Sequence, residues 1–299
     1  MNLKGKISRA IRNPESVRRK AGVVMVRPFT KPDGDGINFL EQDWDVLIVL
    51  DACRYDLFKR NNPFDASVEK VQSNASQTRE YIENNFVDQD CRDTVYVTAS
   101  PQFADFNLQF AHIEHVWENH WDEELRTVLP ESVTDAAIDV ADSYDNKRII
   151  VHYMQPHYPF IGPTGRELSE QATFVPNPKH LSVWEQLSAG RLSEDIVREA
   201  YEENLSIVLP EVERLVANVE GKPVITSDHG NLFGQKVCWL PINIYGHPAR
   251  IHHPELTGVP WVELPNKSRR KIFSAEESTQ TQESFTNVEE RLEDLGYIQ

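Results

Sequence analysis

The sequence predicts an α/β fold: a doubly wound, mostly parallel sheet with helices on both faces. Three observations carry that expectation. Asp45-Val-Leu-Ile-Val-Leu50 is an almost unbroken apolar run, the composition of a parallel strand covered on both sides. Arg148-Ile-Ile-Val151 and Val224-Ile-Thr226 read the same way. Ahead of the last run, Asp195 to Asn218 carries apolar residues at helical spacing (Ile196, Ala200, Leu205, Val208, Leu209, Val212, Leu215, Val216), so strand and helix alternate.

Each run stops at an ionisable residue. The first delivers Asp51, the second His152 and then Pro156-His157, and the third Asp228-His229, behind which Gly230 lets the backbone turn sharply. Ligands of open α/β sheets sit beyond the carboxyl ends of the strands. Carboxylates and imidazoles delivered there by three strands predict a metal site with chemistry attached. Asp51 also stands where a helix cap would, ahead of Ala-Cys-Arg54-Tyr-Asp56. The matching strand ends favour the ligand.

The chain divides into three stretches. Residues 1–36 form a basic N-terminal helical segment and linker: Leu3, Ile7 and Ile11 are four apart, Asn13-Pro14 interrupts, a short helix from Glu15 to Lys20 follows, and Lys31 to Gly36 is turn-rich. Residues 37–273 make the α/β domain. Inside it we expect a helix over 81–86 entered from the polar loop Ser73-Asn-Ala-Ser76-Gln-Thr78, a strand over 94–98 and a helix over 132–146. The aromatic stretch 102–127 reads as a surface insertion or substrate-side helix, with His112, His115 and His120 as ordinary histidines. Pro156 and Pro159 stiffen the loop around His157, Pro163 to Pro178 reads as loop, His247 lies in a Gly/Pro-fixed turn, and Trp261 to Leu264 as a late edge strand. Residues 274–299 read as a polar segment and a closing helix, ended by Gly296, that packs on the same domain.

At 299 residues, 39% hydrophobic and 26% charged, the chain suits a soluble protein of one large α/β domain or two small ones, with room for a sizeable core. Net charge is −16, unevenly spread. The first 31 residues hold nine Lys/Arg against Glu15, whereas the remainder holds 22 against 46 Asp/Glu, a net of −24. Such a body repels nucleic acid. Few Lys (12 against 19 Arg) on an acidic surface is also what a high-salt, halophilic cytoplasm favours. No apolar run approaches the ~18 residues of a spanning helix, and none follows the N-terminal bases, so a cytoplasmic location is expected. Residues 1–22 either tether the chain to an anionic membrane surface or acidic partner, or pack as a peripheral helix on the acidic body. Cys53, Cys91 and Cys238 lack metal or disulfide spacing and read as buried free thiols.

Four pieces in order resemble the alkaline phosphatase/sulfatase superfamily, most of all its compact archaeal sulfatase-like members: Val-Leu-Asp51-x-x-Arg54-x-Asp56, Pro156-His157-x-Pro-Phe160, Thr226-Ser-Asp228-His229-Gly230 with Gly234, and Glu290-Arg-Leu-Glu-Asp-Leu-Gly-Tyr297. The resemblance spans roughly Asp45 to Ile298. It implies one divalent metal (Mn, Zn, Mg or Ca) held by Asp51, Asp228, His229 and the nucleophile oxygen. The position matching the nucleophile is Thr78, with Ser73 and Ser76 as rivals; His152, His157 and His247 could build part of a second site. Formylglycine sulfatases carry Cys-x-Pro-Ser-Arg there, whereas this chain has Thr78-Arg79-Glu80-Tyr81, which favours phosphoryl transfer.

The implied activity is that of a metal-dependent hydrolase or transferase of phosphate or sulfate esters, working through a covalent Thr78 intermediate on a small anionic ester, glycan or lipid head group. Arg54, Arg79 and Lys236 are candidates to neutralise the transferring group, and His157 or His247 to protonate the leaving group. The alternative is a non-catalytic member that binds an anionic glycan or lipid head group.

Overall fold

The structure is a computed structural model that describes residues 14–32, 34, 36–170, 182–265, 268–273 and 287–297. Its strands are β1 (Val46–Leu50), β2 (Glu69–Gln72), β3 (Asp90–Thr98), β4 (Gln109–His115), β5 (Trp121–Asp122), β6 (Thr127–Val128), β7 (Arg148–Tyr153), β8 (Pro223–Thr226), β9 (Leu232–Lys236), β10 (Asn243–Gly246) and β11 (Gly258–Glu263). Seven form one sheet in the order β2-β11-β8-β1-β7-β3-β4. From β8 to β4 every pairing is parallel; β11 is antiparallel to both β8 and β2. The α/β, mostly parallel expectation holds.

The alternation of side chains along β1 sorts the core into two faces. Val46, Ile48 and Leu50 pack with Ile149, Val151 and Tyr153 against helices Pro130–Ser143 and Glu194–Asn218. Leu47 and Val49 face the other way, with Ile150, Tyr96 and the helix Thr78–Phe86, which contributes Tyr81, Ile82 and Phe86. Both faces are therefore covered, and β1 is buried along its whole length, which is why its sequence is apolar without alternation.

Four expectations need correcting. The stretch 102–127 is not a substrate-side helix: its centre is edge strand β4, in which Phe110 points into the core and His112 pairs outward with Glu114 at 3.1 Å. Trp261 lies in β11, which is not an edge but sits between β8 and β2. Residues Pro163–Glu170 form a helix instead of loop, with Thr164 N–H donating to Glu203 at 2.9 Å, and residues 171–181 lie outside the described part. At the N-terminus the helix runs Pro14–Val26, with Pro14 starting it rather than only interrupting; the helix expected over the first dozen residues lies outside the described part. Polar residues 274–286 lie outside it as well.

The loop after β7 is held from one point. Asn204, buried in the long helix, donates to the carbonyls of His157 and Pro159, both at 3.0 Å, and accepts from Ile161 N–H at 2.7 Å. No local sequence signal could place His157 so firmly. Asn204→Ala strands those backbone groups in the interior and is expected to destabilise the fold by about 2–4 kcal/mol, read as a lower urea midpoint at unchanged slope.

Candidate metal centre

Register explains how three distant segments meet. β1 pairs with β8 so that Val49 lies opposite Thr226, and with β7 so that Val49 lies opposite His152. Asp51 and Asp228, each two residues further on, leave the sheet edge at one level. Past Asp51 the chain turns through Ala52, at a positive φ of 58°. The turn is held by Ala52 N–H donating to Asp228 Oδ1 at 2.9 Å and Cys53 N–H to Ser227 Oγ at 2.9 Å, and by the Tyr201 hydroxyl on the Ala52 carbonyl. Gly230 is required for a different reason from the expected sharp turn. Its φ is not positive, but a Cβ there would stand 2.3 Å from the Glu255 carbonyl oxygen.

Thr78 opens helix Thr78–Phe86, which aims its hydroxyl into this edge. Its Oγ1 lies 2.9 Å from Asp228 Oδ2, 3.2 Å from Asp51 Oδ2 and 3.3 Å from His229 Nε2. His229 Nε2 in turn lies 3.3 Å from Asp228 Oδ2 and 3.7 Å from Asp51 Oδ1. Bonds of ~2.0–2.2 Å in a tetrahedral site imply donor separations of roughly 3.3–3.6 Å; the separations here run from 2.9 to 3.7 Å, with Asp51 offering one oxygen to Thr78 and the other to His229. His229 Nδ1 donates to the Gly230 carbonyl at 2.8 Å, which leaves the Nε2 lone pair facing the carboxylates.

His152 joins the same cluster, where the sequence had offered it only to a second site. Asp51, His152 and Asp228 place ligand atoms within 4.8 Å of one another, all buried. Its Nδ1 is tied to the Tyr96 hydroxyl at 2.9 Å, and its Nε2 is a buried nitrogen with no hydrogen-bond partner. Asp51 Oδ1 is likewise buried and without one. Buried polar atoms left without partners are costly, and a divalent cation bound by the carboxylate oxygen and the neutral imidazole would satisfy both. The donor set of carboxylate, hydroxyl and imidazole therefore fits a metal.

The electrostatics agree. Burial and the neighbouring Asp228 charge push the Asp51 carboxyl well above its usual range. Burial alone would raise Asp228 too, but His229, His152, the Ala52 N–H and the Thr78 hydroxyl outweigh it and bring Asp228 down. Burial lowers His152 to about 4. Two buried carboxylates without a cation hold one proton between them, and Asp51 takes it.

Across the cluster stand His157 and His247, with Nε2 atoms 3.4 Å apart. His247 Nδ1 is 3.0 Å from Asn231 Oδ1, and His157 Nδ1 contacts the Tyr158 carbonyl. With both Nδ1 atoms engaged by oxygens, one proton fits between the facing nitrogens. Burial and neighbouring histidines lower His157 to about 3, and push His247 well below its ordinary value.

Tyr297 is the residue that sequence reasoning missed. Gly296, at φ 76°, turns the chain after helix Val288–Asp294, and Tyr297 follows it into the site. Its hydroxyl donates to Asp51 Oδ2 at 3.0 Å and lies 3.3 Å from Thr78 Oγ1, while its ring stacks on His157 at 5.2 Å. Ion pairs of Asp294 with Arg126 at 3.3 Å and Arg291 with Glu123 at 2.6 Å dock this helix on the domain. The closing motif quoted for the resemblance was the available signal, but nothing in it gave Tyr297 a role.

Of the three cations expected to face the transferring group, two are held by carboxylates and the third lies out along a hairpin. Arg54 is clamped between Asp56 at 2.7 Å and Glu255 at 2.7 Å, its charge already matched. Arg79 points outward to Asp105 at 2.8 Å and Glu83 at 3.2 Å, because residue two of the helix lies on its solvent side. Lys236 is exposed and pairs with Asn243 at the far end of the β9–β10 hairpin, roughly 13 Å along the strand from Leu232 at about 3.3 Å per residue. The rival hydroxyls are engaged elsewhere too: Ser73 donates to the Asp228 carbonyl at 2.5 Å, and Ser76 to Glu80 at 2.7 Å.

Fold and site together define an α/β protein with a metal-competent Asp/His/Asp cluster at the carboxyl edge of its sheet. No family model matches the sequence, and no curated protein does. Among solved structures it is similar to the integral membrane protein lipooligosaccharide phosphoethanolamine transferase A (EptA) from Neisseria meningitidis, at 14% identity and TM-score 0.48 over 73% of this chain and 46% of that one. It therefore spans just under half the length of that protein. It is similar also to the C-terminal periplasmic domain of EcEptC from Escherichia coli in complex with Zn, at 14% identity and TM-score 0.48 over 80% of this chain and 77% of that one. A protein in the alkaline phosphatase superfamily from Vibrio parahaemolyticus matches at 11% identity and TM-score 0.41 over 82% and 64% of the two chains. No described helix is long and apolar enough to cross a membrane.

Proposed function

We propose that this chain is a metal-dependent phosphoryl transferase or phosphoester hydrolase in which Thr78 Oγ1 is the attacking oxygen. The observation that carries the reading is the position of that one hydroxyl, within 3.3 Å of Asp228, Asp51 and His229 at the start of a helix. Asp51, Asp228, His229 and His152 would hold the metal, which when bound lowers the pKa of a neighbouring hydroxyl and polarises the substrate oxygen. The chain's own groups do the rest. Helix Thr78–Phe86 has no side-chain cap from Gln77, so its first-turn N–H groups are available to an anion lying over Thr78. That helix end stands in for the arginines and lysine expected in the role. Tyr297 holds Asp51 and packs His157 in place. Burial keeps the His157–His247 pair neutral in the free protein; with a phosphoester's negative charge beside it the pair takes up one proton from solvent and donates it to the departing alkoxide. A hydroxyl rather than a Cys-x-Pro-Ser-Arg nucleophile favours phosphate over sulfate.

The test separates leaving-group chemistry from nucleophile chemistry. With metal supplied, His247→Gln and His157→Gln are expected to slow alkyl phosphoester cleavage by about 10²–10⁴-fold. Nitrophenyl esters, whose leaving group needs no proton, should slow by less than about tenfold. Equal losses on both substrates would remove the pair from proton transfer. No metal-dependent release from phosphomonoester, phosphodiester or sulfate esters by the intact chain would favour the binding protein instead.

A further inference from the structure

Helix Pro14–Val26 has two apolar faces, and the fold uses one of them. Val23 and Val26 are buried with Leu232, Ile244, Ile251 and Leu256, and Arg19 on the same side donates to the Tyr245 carbonyl at 3.1 Å. Val17, Ala21, Val24 and Met25, at i, i+4, i+7 and i+8, form a second stripe that points away from the protein. It continues into Phe29, which meets Trp239 edge-on at a ring distance of 5.6 Å. Exposure is 44% at Val17, 64% at Val24, 56% at Met25, 50% at Phe29 and 77% at Trp239. These are five of the six exposed large hydrophobic residues of the described chain, gathered from two separate segments.

Charge around the patch is ordered as well. At about 100° per residue, Arg18 and Lys20 flank the stripe on opposite sides, and Arg27 and Lys31 follow beside Phe29. The rest of the chain beyond residue 31 carries −24. An apolar strip with a Trp–Phe tip and a basic rim, on a body that an anionic surface would otherwise repel, has the build of an interfacial anchor. A second copy fits less well, because two-fold apposition of the patch would bring one basic rim against another.

We propose that Val17, Val24, Met25, Phe29 and Trp239, rimmed by Arg18, Lys20, Arg27 and Lys31, dock this protein on an anionic lipid bilayer. This places the anchor inside the folded domain, across helix and hairpin, rather than in residues 1–22 alone. It stands independently of the metal chemistry.

The full chain should co-sediment with vesicles of phosphatidylcholine containing about 30% phosphatidylglycerol, and only weakly with phosphatidylcholine alone. Partitioning should fall as salt rises from about 0.05 to about 0.5 M. Tryptophan emission should shift to the blue on binding. Trp44, Trp117, Trp184 and Trp261 are buried and Trp121 half-buried, so Trp239→Phe should lose most of that shift while still binding. Val24→Glu with Met25→Glu should lower partitioning by about tenfold or more at an unchanged melting temperature, since both side chains are exposed. Absence of partitioning at low salt, or an undiminished value for the double variant, overturns the proposal. So does a concentration-dependent dimer that the double variant dissolves without any effect on vesicle binding.

Discussion

Thr78→Ala is expected to lower metal-dependent phosphoester turnover by about 10³–10⁶-fold, the scale on which removing an attacking nucleophile acts. The reason is local. Thr78 is the hydroxyl that reaches both carboxylates and His229, and its two rivals are committed to the Asp228 carbonyl and to Glu80. Thr78→Ser restores an oxygen on the same Cβ and should recover activity to within about tenfold, while Ser76→Ala should leave turnover nearly intact. Metal affinity should respond far less to Thr78→Ala, by about 10–100-fold, because Asp51, Asp228, His229 and His152 remain. Titration with Mn²⁺ or Zn²⁺ alongside steady-state kinetics separates the two effects. Turnover unchanged in Thr78→Ala, or abolished equally in Ser76→Ala, would transfer the nucleophile's role elsewhere.

The second large effect has opposite signs with and without metal. Asp51→Asn removes one of two buried carboxylates that repel each other, so the metal-free protein should become more stable. The gain is expected as a higher melting temperature of the metal-free variant near neutral pH. The pH dependence follows from the direction of the shift. Asp51 in the folded protein titrates above its unfolded value, so its contribution is fully present below about pH 3.9 and is lost as pH rises through the raised value. The melting temperature of the variant minus that of wild type should therefore widen as pH rises.

His152 and His157, lowered to about 4 and about 3, act in the other direction, costing stability as pH falls below about 6.5. Above about pH 6.5 both imidazoles are neutral in folded and unfolded chains, so there the difference between variant and wild type reports Asp51. A bound divalent cation takes the place of the Asp51 proton, so metal-induced stabilisation of wild type should grow with pH and should largely vanish in Asp51→Asn. Chelation should return wild type to its metal-free melting temperature and remove turnover. A variant less stable than wild type in the absence of metal would mean that Asp51 serves the fold instead of a cation.

How much of this was written locally can be judged residue by residue. The apolar runs at 45–50, 148–151 and 224–226 announce strands covered on both faces, because such a strand has no solvent side to alternate toward. The ionisable residues that end them are equally visible, since an ionisable group that follows a buried run must find partners at the strand end. Edge strand β4 escaped notice for the complementary reason: with one edge free and His112 and Glu114 outward, its pattern is too weak to separate from a helix. The late strand at Trp261 was legible, but its interior place was not, because β2, with the sequence Glu-Lys-Val-Gln, gives no sign that it will cover that edge.

The local sequence determined that metal-competent side chains would leave strand ends, and that a polar loop would precede a helix at Thr78. It could not say which cations remain free, because Arg54 and Arg79 look alike in sequence until Glu255 and Asp105, distant along the chain, arrive to neutralise them. Nor could it bring Tyr297 to Asp51, a contact between residues 246 positions apart. Those outcomes belong to tertiary structure for a physical reason. Strand character is set by the surroundings a stretch of backbone must enter, which its own side chains record. A partner's charge or hydroxyl is recorded only by the register of the sheet and the angle at which a helix docks.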